Sequence, residues 1–237
     1  MDFSYYIENT LPITIFELLA AFFGTYYIFS GRKKHLPTKI LVIFLWITVF
    51  IEIIGSYSPI AYYSSYKYFA WVEGTKFAQS NWLYNPYLIL SYCFYPLYFR
   101  SYIRIKTWKI ILKYLVIFFL VTAILNLVFS DAYFTTFSQY TLLLGALLIF
   151  VSVGLFYFQL LRSEAPFNLK HYLPFYISIG TFFFHLCMTP IALYSKYFKV
   201  ENIDFVDFRV KALLFSNILM YFIYIIGFII CRKKSSY

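Results

Sequence analysis

Few side chains in this sequence could do chemistry, and they stand singly inside long apolar runs. Two carboxyl groups, Glu17 and Glu52, and one imidazole, His185, lie in three different runs. Amide and phenol groups in the other runs complete a candidate binding set of Glu17, Glu52, Asn81, Asn85, Tyr92, His185 and Asn217. Carboxyl and imidazole groups in an apolar setting are typical of sites that bind protons or anchor a small ligand.

The sequence lacks the motifs of several membrane enzymes and cofactor proteins. There is no HExxH zinc motif and no Gly-rich phosphate loop. No lysine occurs between Lys211 and Lys233, where a retinal protein would carry its Schiff base. The three cysteines show no metal or redox spacing. We therefore expect no catalytic residue, no metal and no cofactor, and an enzyme is disfavoured.

The composition predicts what must position these residues. Hydrophobic residues make up 62% of the chain and charged residues 13%, with a mean hydropathy of +0.72. Soluble domains are usually about 45–50% apolar and about 25% charged. We expect one all-α integral membrane domain over residues 1–237, because no part is polar and long enough to be a separate soluble domain.

A membrane-spanning helix needs about 20 mostly apolar residues. Seven such runs occur, which predicts a seven-helix bundle. The predicted spans are 12–30, 40–60, 82–103, 109–129, 139–161, 173–195 and 210–231.

The charges predict the orientation of the bundle. Fourteen of the twenty Lys and Arg residues fall on one side of the seven spans, while most acidic residues fall on the other. Basic residues favour the cytoplasmic side, so we expect the N-terminus outside and the C-terminus inside. The net charge of +10 then lies at the inner rim and meets anionic lipid headgroups, and it is no sign of nucleic-acid binding. We expect a multi-pass protein of the bacterial cytoplasmic membrane.

Depth and helical spacing together predict where the candidates meet. In this orientation Glu17, Glu52, Asn85, His185 and Asn217 all project to the outer half of the bilayer. Most spans carry one stripe of polar or small residues at helical spacing, which predicts an inward face because lipid cannot satisfy polar groups. Two ionised carboxylates in one half-bundle would repel each other. We therefore expect one to hold a proton or to pair with His185.

Structural interpretations compete with these functional ones. Isolated Asn, Ser and Thr residues in spans are more often hydrogen-bonded fasteners between helices, the interpretation we favour for Asn126 and Asn217. A carboxyl inside a membrane is a functional hypothesis by default. The alternative is a protonated glutamate that only holds helices together.

Spans 1–3 and 5–7 share a layout, with a short basic inner loop and then a long outer loop. This hints at a 3+1+3 parallel repeat of the kind found in small sugar transporters. The stretches FELLAAFFGTYYIF, FLWITVFIEIIG, SNWLYNPY and SNILMYFIYIIGFI also resemble a group of short, uncharacterised seven-helix membrane proteins of Bacteroidota bacteria. The resemblance implies the fold and no particular activity.

These observations favour a receptor-like or sensor-like protein. A small or amphipathic ligand, or protons, would arrive from outside at the polar cluster, and the basic inner loop 100–109 would report to a cytoplasmic or membrane partner protein. One alternative is a small proton-coupled transporter of the 3+1+3 type. Another is a structural subunit of a larger membrane complex.

Overall fold

The computed structural model describes residues 3–30, 35–162, 169–194 and 203–232. Parts of the predicted loops at 31–34, 163–168 and 195–202, and the C-terminal residues 233–237, lie outside this described part. Throughout the described residues the chain is helical or irregular and contains no strand. The helices are α1 (Phe3–Ser30), α2 (Leu36–Gly55), α3 (Tyr57–Tyr63), α4 (Asn81–Tyr102), α5 (Lys106–Phe129), α6 (Ala132–Thr135), α7 (Gln139–Leu161), α8 (Leu173–Leu193) and α9 (Ile203–Arg232).

A long helix lies over most of each predicted span, and the largest differences lie at the N-terminal ends. The predicted span 40–60 is divided, because α2 ends at Gly55 and α3 begins at Tyr57. Helix α1 begins at Phe3 rather than near residue 12, and α9 begins at Ile203 rather than near residue 210. The apolar pattern misses these first turns because their residues are polar yet still helical. In α1, Asn9 donates from its side chain to the carbonyl of Tyr5 at 2.8 Å. Glu17 consequently lies midway along α1 and not near its start.

Six of the described helical segments are long and apolar enough to cross a membrane, which indicates a multi-pass membrane protein. The long helix outside this set is α4, whose six tyrosines, two asparagines and two prolines lower its hydropathy. Helix α4 packs against α2, α5, α6, α7 and α8. Its polar side chains can therefore face other helices instead of lipid. That α4 is a seventh span, and that the N-terminus lies outside, both stay predictions.

Six long helices form a closed ring in the order α1, α2, α4, α7, α8, α9, and α5 packs outside it against α4 and α7. The neighbour pairs repeat: α1–α2 corresponds to α7–α8, α2–α4 to α8–α9, and α4–α7 to α9–α1. Any closed ring of six helices allows this matching, so the 3+1+3 repeat stays a prediction.

Contacts at both ends show that α1 and α9 run parallel. The hydroxyl of Tyr5 donates to Asp207 at 2.6 Å near their N-terminal ends, and the Arg232 guanidinium lies 4.5 Å from the ring of Tyr26 near their C-terminal ends. We call the first end of the bundle, which also holds α3 and α6, the α3 end. We call the other end, with the connection from Tyr102 to Lys106, the basic end.

Close packing between α4 and α7 depends on Gly145. A Cβ placed on Gly145 would overlap the ring of Tyr92. Gly154, in the same helix, has open space where its Cβ would be. Glycine at a helix interface allows such an approach because it has no side chain.

We expect the Gly145→Ala variant to be less stable than the native protein by about 1–3 kcal/mol, the usual cost of overpacking. Gly154→Ala is its matched control and should leave stability unchanged or raise it by up to about 1 kcal/mol, because alanine is the better helix former. Unfolding of both purified variants in detergent measures the difference. Equal effects of the two substitutions would contradict the packing that we describe.

Candidate carboxyl and tyrosine site in the bundle interior

The two predicted glutamates lie together inside the ring. Glu17 is 3% exposed, and Glu52 on the neighbouring helix α2 is partly buried. The two carboxyl groups are close enough to interact electrostatically. The sequence prediction that Glu17 and Glu52 share one region of the bundle therefore agrees with the structure.

Tyrosine hydroxyls surround this glutamate pair. The hydroxyl of Tyr84 on α4 donates to Glu52 Oε2 at 2.9 Å. Tyr221 on α9 lies close to the Glu17 carboxyl group. The Glu17 Oε2 atom is buried and has no hydrogen-bond partner among the described residues. The pair thus combines one bonded carboxyl with one that retains free acceptor capacity.

More tyrosines, from the two helices α1 and α4, lie within electrostatic reach of the carboxyl groups. Tyr6 on α1 lies near Glu52, while Tyr87 and Tyr95 on α4 lie near Glu17. None of the named neighbours carries a positive charge. The interior thus places two acids among neutral hydroxyl groups, which can donate to a carboxylate without neutralising it.

His185 lies apart from the glutamate pair. Its ring is 5% exposed and packs against Tyr92 and Phe184, with ring centroids 5.2 and 5.1 Å away. The electrostatic neighbours of Glu17 are Glu52 and Tyr221, and His185 is not one of them. The expected alternative of a glutamate paired with His185 is therefore not what the structure shows. Helical spacing gives only a face, and His185 turns towards Tyr92.

The predicted candidates Asn81 and Asn85 serve a different region, at the α3 end. Asn85 is 1% exposed, and its Oδ1 accepts from the Ser138 amide at 3.1 Å. Its Nδ2 lies 3.0–3.2 Å from the carbonyl oxygens of Ala132, Tyr133 and Thr136.

Asn81 Nδ2 donates to Gln79 at 2.8 Å and lies 3.4 Å from the Phe134 carbonyl. Both side chains hold the α5–α7 connection against α4.

Asn126 and Asn217 also have structural partners. Asn126 accepts a hydrogen bond of 2.7 Å from Ser138, whose hydroxyl in turn caps the N-terminus of α7. Asn217 donates to the carbonyl of Leu213, one turn earlier in its own helix, at 2.9 Å. Asn217 stands one turn before Tyr221 on α9. The bond from Ser138 agrees with the expectation that Asn126 is a hydrogen-bonded fastener between helices.

The two halves of the ring repeat one local arrangement. Thr48 on α2 bonds the hydroxyl of Tyr87 on α4 at 2.7 Å, and Thr181 on α8 bonds the hydroxyl of Tyr224 on α9 at 2.6 Å. Each threonine also donates to the carbonyl four residues earlier. Glu52 follows Thr48 by four residues, and His185 follows Thr181 by four. Glu52 and His185 therefore occupy equivalent positions.

Sequence reasoning did not single out Tyr84 and Tyr87 as part of the site. It grouped Asn81, Asn85, Tyr92 and Tyr95 on one face of α4. The first three turn towards α6 and α7, whereas the Tyr95 hydroxyl meets Tyr224 on α9. The tyrosines form a neighbouring stripe, and their spacing of three and four residues is the signal that could have found them.

Comparison with family models, with curated proteins and with solved structures gives no match. The resemblance to the Bacteroidota proteins therefore stays a prediction, and the functional argument depends on the geometry alone.

The bonding of Asn85 predicts a structural role for it. We expect Asn85→Ala to lower the free energy of unfolding by about 2–4 kcal/mol, because loss of one partner from a buried hydrogen bond costs about 1–3 kcal/mol for each group left behind. Asn9→Ala, which removes one local bond in α1, is the control and should cost about 1 kcal/mol or less. Denaturant titration of the full-length protein in detergent compares the two. An Asn85 variant as stable as the control would contradict this role.

Proposed function

We propose that this chain is a proton-responsive membrane protein of the sensor-like or receptor-like kind, with Glu17 and Glu52 as its responsive groups. The observation that carries the proposal is that these two carboxyl groups lie within electrostatic reach of each other in the interior, among neutral tyrosine hydroxyls. A structural fastener needs one bonded carboxyl, and this site holds two that repel each other when both are ionised.

The physics of the pair makes it responsive to protons. Two unit charges about 4–8 Å apart interact by roughly 2–4 kcal/mol at an effective dielectric constant of about 20. No positive group among the named neighbours offsets that repulsion. Two such carboxyl groups titrate as a unit, so that the proton on one controls the charge of the other.

Protonation would be transmitted through the helices that hold the pair. Tyr84 links Glu52 to α4, and Tyr221 on α9 lies close to Glu17. A carboxylate only accepts hydrogen bonds, whereas a carboxylic acid also donates one, so the hydrogen bonds open to both tyrosines change with the proton. Four helices, α1, α2, α4 and α9, would adjust their packing together.

The basic end is where we place the output. Gln159 on α7 accepts from the backbone amides of Arg104 and Ile105 and donates to the Tyr102 carbonyl at 3.0 Å. The short connection between α4 and α5 is thereby tied to α7. In the proposed orientation it faces the cytoplasm, and its basic residues would present a repacked surface to a partner protein. A small ligand that protonates or bonds the glutamates would act through the same contacts.

The first test follows the carboxyl groups directly. Infrared difference spectra of the protein in lipid, between about pH 8 and about pH 5, should show the carbonyl band of a buried carboxylic acid. We expect Glu17→Gln and Glu52→Gln each to remove or shift that band, because each leaves the other carboxyl without its acidic neighbour. Glu8→Gln is the control, since Glu8 is exposed on the same helix as Glu17. A band that both variants leave unchanged would overturn the proposal and favour a fastener role.

A second candidate function is the proton-coupled transporter, which the matching Thr48 and Thr181 contacts favour. Parallel repeats allow the two halves to rock about a central site. The same glutamates would then couple protons to the movement of a substrate.

Spin-label distances separate the two candidates. One pair of labels replaces Tyr62 and Leu193 at the α3 end, and a second pair replaces Phe29 and Leu161 at the basic end; all four side chains are exposed and each pair joins opposite halves. Between about pH 8 and about pH 5, a transporter should shorten one distance while it lengthens the other. A sensor should move the basic end alone. Opposite changes at the two ends would reject the sensor interpretation.

A further inference from the structure

A stripe of hydroxyl groups runs along the whole length of α4. Its residues follow one another at intervals of three or four, which places them on one face of the helix. We call this set the hydroxyl stripe: Tyr84, Tyr87, Ser91, Tyr95, Tyr98 and Tyr102. A helix of 22 residues is about 33 Å long, close to the thickness of the hydrocarbon core of a bilayer.

The first half of the stripe belongs to the glutamate site. Tyr84 donates to Glu52, and Tyr87 bonds Thr48. Tyr87 and Tyr95 are both electrostatic neighbours of Glu17, as is Tyr221. Glu17 and Tyr221 therefore lie near both Tyr87 and Tyr95, which are two turns apart on α4.

The second half continues away from the glutamates towards the basic end. The hydroxyl of Tyr224 lies 3.3 Å from that of Tyr95 and is bonded to Thr181. Tyr98 follows one turn later and has Tyr224 as an electrostatic neighbour. The rings of Tyr98 and Tyr102 lie 5.2 Å apart, and the Tyr102 hydroxyl lies near Thr38 in the first turn of α2.

One member of the stripe is not explained by packing. The hydroxyl of Tyr98 is buried and makes no hydrogen bond of normal distance and angle among the described residues, and its near hydroxyl neighbour is Tyr102. A buried hydroxyl without a partner costs free energy that phenylalanine would avoid. Phe94 and Phe99, on either side of Tyr98 in α4, show that this helix buries apolar rings. A functional use of the hydroxyl would explain why tyrosine stands there.

Hydroxyl groups can pass protons because each one is both a donor and an acceptor. A hydroxyl accepts a proton from one neighbour and releases its own to the next, so one proton enters the series as another leaves it. No bond to carbon is broken and nothing is oxidised or reduced. The remaining requirement is that successive oxygen atoms lie within reach, directly or through small rotations of the rings.

We propose that the hydroxyl stripe of α4 is a proton route between the Glu17–Glu52 pair and the basic end of the bundle. This inference rests on the proposed function, since the glutamates are the groups that load and unload the route. It adds a direction of movement: protons would cross the membrane along α4 and not merely bind within it.

The experiment measures proton flux through the full-length protein. Proteoliposomes hold a trapped pH-sensitive dye, and a potassium gradient with valinomycin supplies the driving potential. We expect native protein to acidify the vesicles faster than protein-free vesicles. Tyr98→Phe and Tyr95→Phe should each lower that protein-dependent rate at least tenfold. Tyr114→Phe is the control and should keep the native rate, since Tyr114 is 65% exposed on α5, outside the ring.

Thermal unfolding separates loss of the route from loss of the fold. Because the Tyr98 hydroxyl makes no hydrogen bond of normal distance and angle to a described residue, Tyr98→Phe should melt at or above the temperature of the native protein. A variant that is at least as stable and no longer conducts protons would support the route. If Tyr98→Phe proves less stable, Tyr95→Phe decides the matter by the same flux criterion.

Two results would overturn the inference. One is native protein with no flux above that of protein-free vesicles, and the other is flux that both Tyr→Phe variants retain. Neither result affects the proposed function, which the infrared band of the glutamates tests separately. A missing infrared response together with absent flux would mean that both proposals fail.

Discussion

Hydrocarbon offers no hydrogen bonds, and this one property of the surroundings decides where the polar side chains of the bundle can lie. Helix α4 is the clearest case. Its tyrosines and asparagines would be costly against lipid, and it contacts helices on several sides instead. The apolar helix α5 lies outside the ring, with Phe118 and Val121 among its many exposed side chains. The ring of helices shields the polar side chains of α4 from lipid.

Within that enclosure, polar groups do two different kinds of work. At the α3 end, Asn85 and Ser138 have several partners each and hold a connection in place. In the interior, the carboxyl groups of Glu17 and Glu52 lie within electrostatic reach of each other, and among the described residues only Glu52 accepts a hydrogen bond from a tyrosine, Tyr84. The first arrangement is satisfied in one state and gives rigidity. In the second, the most favourable hydrogen bonding differs between the ionised and the protonated carboxyl group, and a switch needs such a difference.

Much of the architecture could be predicted from the apolar runs alone. The span predicted at 139–161 is the observed helix α7, and the others differ mainly at their ends. The short helix α6 escaped prediction because it lies in a predicted loop, and the break between α2 and α3 was missed because the apolar run continues through it. Depth and face together brought Glu17 and Glu52 to one place, because both quantities follow from helix geometry.

The sequence could not predict which residue of another segment each polar side chain would contact. Asn85 was expected at a ligand site, and its partners instead come from the α5–α7 connection, more than 45 residues further along the chain. His185 was expected near the glutamates and lies against Tyr92. Helical periodicity tells which way a side chain points. Only the packing of separate helices determines what it meets.

The correspondence between Thr48 and Thr181 has one more consequence. A ring built from two equal halves would carry the same chemistry at opposite points, and its interior would have no electrical direction across the diameter. Here one half places a carboxyl group, Glu52, where the other places an imidazole, His185. The two halves thus share one threonine–tyrosine contact and differ in the ionisable group that follows it, so the two sides of the interior are chemically unlike.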